Sequence, residues 1–143
     1  MKDKYIIIGS DHAGFELKEI IKKYLIEEGL EVHDIGVYTK ESADYPVIAK
    51  QVAKEAVEKS CRAILICGTG VGMCIAANKV KGIRAVVCSD TTSAKYSRLH
   101  NNTNILCFGA RIIGENSAKD ICKIWLETEF EGGRHQKRTD MLE

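Results

Sequence analysis

Short apolar runs alternate along the whole chain with longer stretches of helical spacing. Tyr5-Ile6-Ile7-Ile8-Gly9 is brief, rich in β-branched residues and without polar alternation, as a strand covered on both faces requires. Leu17, Ile20, Ile21, Tyr24 and Leu25 then recur every three or four positions, and Gly29 stands where a helix C-cap belongs. Residues 31–36 read as a second strand, and Pro46 opens a helix whose apolar face holds Ile48, Val52, Ala56 and Val47. Residues 63–67 form a third strand, followed by the turn Gly68-Thr69-Gly70-Val71-Gly72 and a helix over 73–79. A fourth strand spans 83–88, a helix runs from 92 to about 99, and a fifth strand covers 105–108. Ala118, Ile121, Cys122, Trp125 and Leu126 line one side of a last helix, and from about residue 131 the chain is a polar, basic tail. Five β–α units in succession imply an α/β fold, a parallel sheet between helices.

With 143 residues the chain suits one domain, and no internal repeat or linker divides it. A hydrophobic content of 45% with a net charge of +1 describes an ordinary globule without a basic surface for nucleic acid. No apolar run approaches a membrane span, and Met1-Lys2-Asp3-Lys4 leads straight into the first strand without a signal pattern, so the expected location is cytoplasmic. The six cysteines include no CxxC pair, which argues against a zinc ribbon or a thioredoxin-like motif. Apart from Cys67, they are expected to act as small buried hydrophobes without disulfides.

In parallel sheets ligands bind beyond the carboxyl ends of the strands, and polar residues gather at these ends here. The first strand runs into Gly9-Ser10-Asp11-His12-Ala13-Gly14, the third into Cys67 and its glycine turn, the fourth into Ser89-Asp90, the fifth into Gly109-Ala110-Arg111. The helix before the fifth strand ends in Arg98-Leu99-His100-Asn101-Asn102. All of these are expected to share one rim. A strand delivering a cysteine to a glycine turn that opens a helix aims backbone N–H groups at whatever occupies the turn, and an oxyanion, phosphate or enolate suits that place. The same field favours thiolate over thiol at Cys67.

Plainer readings exist for each residue. Asp11 suits a cap on the first helix, His100 with two asparagines suits a helix C-terminus, and Arg134 and Arg138 suit solvated tail charges. The turn has two glycines of a dinucleotide fingerprint, but the third comes one residue early, and no GK[ST] follows to make a Walker loop.

Taken together, Gly9–Gly14, Cys67–Met73, Ala76-Ala77-Asn78-Lys79, His100-Asn101-Asn102, Gly109-Ala110-Arg111 and Gly132-Gly133-Arg134-His135 with Arg138 resemble the B-type ribose-5-phosphate isomerases, in unbroken order over essentially the whole chain. The resemblance implies a three-layer α/β/α Rossmann-like domain with five parallel strands. It also implies a homodimer or dimer of dimers with sites at the subunit interface, and interconversion of ribose 5-phosphate and ribulose 5-phosphate without metal or organic cofactor. It makes Cys67 the base that moves the proton between C1 and C2; some relatives use a glutamate where this chain has Met73. By the same resemblance the backbone of Gly68, Thr69, Gly70, Val71 and Gly72 stabilises the enediolate, Thr69 assists at a sugar oxygen and His100 opens the furanose ring. Asp11, His12 and Asn101 match sugar- and phosphate-contacting positions, and Arg111, Arg134 and Arg138 match a phosphate clamp with His135 nearby. Allose 6-phosphate and galactose 6-phosphate isomerases share this architecture. A non-catalytic phosphate- or nucleotide-binding module is the alternative of another class, and it needs neither Cys67 nor His100.

Overall fold

The computed structural model describes residues 3–36 and 44–143, and its centre is a five-stranded sheet. The strands are β1 (Tyr5–Ser10), β2 (Glu31–Asp34), β3 (Arg62–Cys67), β4 (Ala85–Val87) and β5 (Ile105–Gly109). The helices are α1 (Phe15–Glu27), α2 (Tyr45–Lys59), α3 (Val71–Ala77), α4 (Thr91–Asn101), α5 (Glu115–Glu127) and α6 (Arg134–Asp140). All pairings are parallel and the strand order is β2-β1-β3-β5-β4.

Because strand side chains alternate between faces, the unbroken apolar runs feed two cores. Ile6, Ile8, Ile64, Ile66, Leu106 and Phe108 pack under α1, α4 and α5 with Ile21, Leu25, Ile121 and Trp125. Ile7, Ala63, Leu65, Cys67, Ile105 and Cys107 face the other way, against Ala49, Val52 and Ala53 of α2 and Met73 and Ala77 of α3. The α/β/α layering expected from the sequence is therefore what the chain builds. Successive strands extend the sheet first to one side of β1 and then to the other, which leaves a switch point at the carboxyl ends of β1 and β3.

Several local expectations need correction. Val47 is 65% exposed; the buried stripe of α2 is Ile48, Ala49, Val52, Ala53 and Ala56. Helix α3 begins at Val71, inside the glycine segment, and ends at Ala77. The fourth strand is only three residues long, because Gly82 takes φ +91° and Ile83 closes a turn on Val80. The basic tail contains α6, with His135 and Thr139 buried. Cys61 and Cys74 are half-buried, while Cys67 is buried along with Cys88, Cys107 and Cys122.

Lys18 lies in the middle of the α1 stripe with 0% exposure, beside Leu17, Ile21 and Leu25. Its ammonium donates to both Asp34 carboxylate oxygens, at 2.9 and 3.0 Å, and Lys22 reaches the same carboxylate at 3.2 Å. This pair pins α1 to the end of β2. A lysine at that spacing reads as an interruption of the stripe, and the Asp34 carboxylate, with Glu19 at 3.5 Å, makes its burial tolerable.

Candidate active site

The carboxyl ends of β1, β3 and β5 converge on the turn Gly68–Gly72. Cys67 is the last residue of β3 and 5% exposed. Its Sγ accepts the Gly70 N–H at 3.1 Å, a bond that strengthens as the sulfur gains negative charge. Gly70 takes φ +84°, and a Cβ there would lie 2.8 Å from Phe108 backbone, so the turn can hug β5 only with glycine at this place. From the other side, a Cβ on Gly109 would meet Thr69 backbone at 2.5 Å. The loop after β5 runs alongside the turn: Ala110 N–H donates to Cys67 O at 2.9 Å and Arg111 N–H to Gly68 O at 3.0 Å. Arg111 is thereby held with its guanidinium over Gly68, where a Cβ would stand 3.5 Å from it.

Not every amide of the turn is left for a ligand. Gly70 N–H is committed to Cys67, and Val71 N–H donates to Thr69 Oγ1 at 3.2 Å. Asp11 and His12 arrive from β1. Asp11 N–H donates to Ile66 O at 3.3 Å, and the Asp11 carboxylate accepts from Gly14 N–H at 3.0 Å, so it does secure the turn into α1. His12 is exposed on that turn. Tyr45, which sequence reasoning passed over, lays its ring against the turn, 2.6 Å from where a Gly72 Cβ would be. Its only sequence signal is an aromatic residue beside the proline that opens α2.

The remaining predicted residues gather elsewhere. His100 and Asn101 form the last turn of α4, and a helix linking parallel strands runs antiparallel to them, so it ends beyond their amino-terminal edge. The hydrogen bonds there agree: Ala63 N–H donates to Asn104 O and Asn104 N–H to Arg84 O, both at 3.0 Å, at the beginnings of β3 and β4. At about 3.3 Å per residue, the length of β5 alone puts this edge roughly 16 Å from the Cys67 turn. The expectation of a single shared rim within one chain is therefore wrong. Asp11, His12, Cys67, the glycine turn and Arg111 meet at the carboxyl rim. At the opposite edge His100 meets His135, with Arg134 and Arg138 beside it, and Asn101 lies there with Arg84 and Leu142.

That edge cluster is firmly built. The His100 and His135 rings stack with centroids 4.2 Å apart and planes 15° from parallel, and Tyr96 tilts against His100 at 5.1 Å. Glu131 Oε1 lies 3.9 Å from His135 Nε2, and Glu131 N–H donates to Leu99 O at 3.0 Å. Burial first, and then the neighbouring His100, Arg134 and Arg138, hold His135 below its ordinary imidazole value, with Glu131 opposing them. Beneath the pair, Arg98 donates to Thr128 O at 3.1 Å, Asn102 Oδ1 at 2.9 Å and Thr103 O, tying α4 to the segment that carries Glu131. Burial pushes this guanidinium down to about 10. Arg98, read from the sequence as part of the rim, is instead spent on the Thr128 and Thr103 carbonyls and on Asn102, and Glu131 was missed because it stands in no motif. Among the described residues, His100, Glu131 and His135 are the group whose donors are grouped closely enough to suit an ion.

The comparisons with known proteins agree with this geometry. The Ribose/Galactose Isomerase family model matches residues 6–142. Ribose-5-phosphate isomerase B of Escherichia coli is 51% identical over 140 residues, covering 97% of this chain and 94% of that protein. D-erythrulose-4-phosphate isomerase of Pectobacterium atrosepticum is 48% identical over 139 residues, covering 96% and 91%. The solved structure of Clostridium thermocellum ribose-5-phosphate isomerase B superposes with a TM-score of 0.95 at 48% identity, covering 96% of this chain and 94% of that one. No helix among the described residues is long and apolar enough to cross a membrane. The chain thus belongs to the ribose/galactose isomerase family, and within it to the B-type ribose-5-phosphate isomerases.

Proposed function

We propose that this protein interconverts ribose 5-phosphate and ribulose 5-phosphate through an enediolate, with Cys67 as the base. The observation that carries the reading is the Cys67 sulfur held by a turn amide at the end of β3, inside a cradle only glycines can form. The thiolate takes the proton from C2 of the open-chain aldehyde. A C1–C2 double bond forms as the negative charge passes to O1, where free turn amides and Thr69 Oγ1 meet it. The O2 hydroxyl proton passes to O1, and return of the carbon proton from the Cys67 thiol to C1 leaves a C1 hydroxyl and the ketone at C2. His100 opens the furanose ring beforehand. Arg111, Arg134 and Arg138, with His135, grip the phosphate remote from the reacting carbons, and guanidinium forks suit that anchor.

Because Cys67 and His100 lie at opposite edges of one sheet, the site is composite. One chain gives the carboxyl rim and a second copy gives the His100 edge, in a homodimer or a dimer of dimers. Val71 and Ile75 on α3 and Met141 and Leu142 after α6 are exposed apolar residues beside the two halves, which suits such an interface. Residues 1–143 act as one sugar-phosphate isomerase domain, the basic segment from about 131 serving the phosphate, in the cytoplasm.

The relative named for D-erythrulose 4-phosphate favours a second reading, in which the sugar is shorter. A coupled assay comparing ribose 5-phosphate, erythrulose 4-phosphate, allose 6-phosphate and galactose 6-phosphate decides the substrate. The highest kcat/KM belongs to ribose 5-phosphate on the leading reading. Phosphosugar binding with no turnover of any of the four would establish a non-catalytic module instead.

A further inference from the structure

We propose that His100, Glu131 and His135 form a binding site for a divalent transition metal, Zn2+ in particular, and that filling it shuts the enzyme off by holding His100 away from the sugar. Nδ1 or Nε2 of the two imidazoles and a Glu131 oxygen all lie within 4.8 Å of one another. A tetrahedral zinc with bonds of about 2.1 Å wants donors roughly 3.4 Å apart, so the three must close by about an ångström or more, and the half-buried His100 ring must turn out of its stack on His135 so that both lone pairs converge. They have room to do so. Glu131 has a side chain 55% exposed, and His100 is only half-buried.

A second observation points the same way. His135 is 6% exposed, and its Nε2 is buried without a hydrogen-bond partner, the carboxylate oxygen at 3.9 Å being too far to bond. A buried imidazole nitrogen without a partner, beside a carboxylate and a second imidazole, is a bonding deficit that a metal satisfies. Two nitrogens and one oxygen form a donor set suited to zinc, copper or nickel and poorly suited to magnesium or calcium, with a fourth position left for water. Arg134 and Arg138 repel a cation here. The single carboxylate offsets one of them, which makes Glu131 the donor on which affinity depends most.

The site stands on its own geometry, whereas the loss of turnover rests on the role given to His100 above. The test uses the assembled, metal-stripped protein and Zn2+ alone. Calorimetry is expected to find one zinc per chain, with affinity at least ten-fold weaker in Glu131→Gln and His135→Ala. Turnover should fall as zinc is added and return with chelator. Glu131→Gln, with normal turnover in the absence of metal, should resist zinc by the same factor by which its affinity falls. Equal zinc affinity in wild type and both variants would overturn the site. So would inhibition undiminished in Glu131→Gln, which puts the metal on Cys67, and zinc binding without inhibition would overturn the proposed switch. If metal-free wild type fails to isomerise any phosphosugar, the functional reading falls while the calorimetry still decides the metal site.

Discussion

The two ends of the sheet are made of different material. At the carboxyl rim the working parts are backbone: a turn with Gly70 at φ +84°, pressed between Phe108 and Tyr45, and a sulfur bonded to a main-chain amide. At the amino edge they are side chains on helix ends, two stacked imidazoles and a set of arginines braced by Arg98. Amides cannot be moved without moving the strand that carries them, so the rim suits a transient charge that must be met without reorganisation. Long basic side chains suit a phosphate whose grip must form and release. Division of labour between the ends follows from what each can hold still.

The sharpest way to break this comparison is to separate the two halves genetically. Cys67→Ser and His100→Ala should each lower kcat about a thousand-fold, within the usual range for a lost acid or base. Mixing the two inactive chains under conditions that exchange subunits should restore about a quarter of wild-type activity, because half the dimers are mixed and each of those has one intact site. Recovery at the level of either variant alone would place the whole site within one chain.

Next in size is the contrast between glycines. Gly70→Ala combines positive φ with a clash against Phe108 backbone and should cost about 3 kcal/mol or more by urea denaturation. Gly132→Ala at φ +72° meets nothing within 4 Å and should cost only about 1–2 kcal/mol of strain. Similar losses would mean that the rim is no more constrained than the edge.

Smaller still is the effect at the phosphate grip. Arg134→Ala should raise KM about ten-fold or more while moving Tm by under about 2 °C, since the side chain is exposed. Parallel losses of affinity and stability would make α6 a structural strap.

The smallest effect is one of pH. His135 is held below its unfolded value by burial and by its cationic neighbours, so the unfolded chain binds more protons once pH falls through about 6.5. Stability should therefore decline from that point downwards, and His135→Gln should flatten the decline in acid melts. An unchanged slope would assign it to other groups.

The pattern of the chain reaches far into this result. Unbroken β-branched runs cannot be half-solvated strands, which fixes a sheet covered on both faces, and their alternation with helical stripes fixes parallel pairing. The cysteine before the glycine turn was legible for the same local reason, because strand, turn and helix are consecutive there. Local reasoning failed where the partner is distant in sequence. Lys18 is buried because Asp34 stands opposite it, sixteen positions away, and Glu131 matters because the chain folds back onto the end of α4.

What the sequence determined by itself is the set of elements, their layering and the chemistry available to them, since these depend on neighbours within a helical turn or a pleat. Only the tertiary structure decided which end of the sheet each reactive group occupies. The direction of every connecting helix is tied to the strands it joins, and it carries His100 away from Cys67 to the opposite edge.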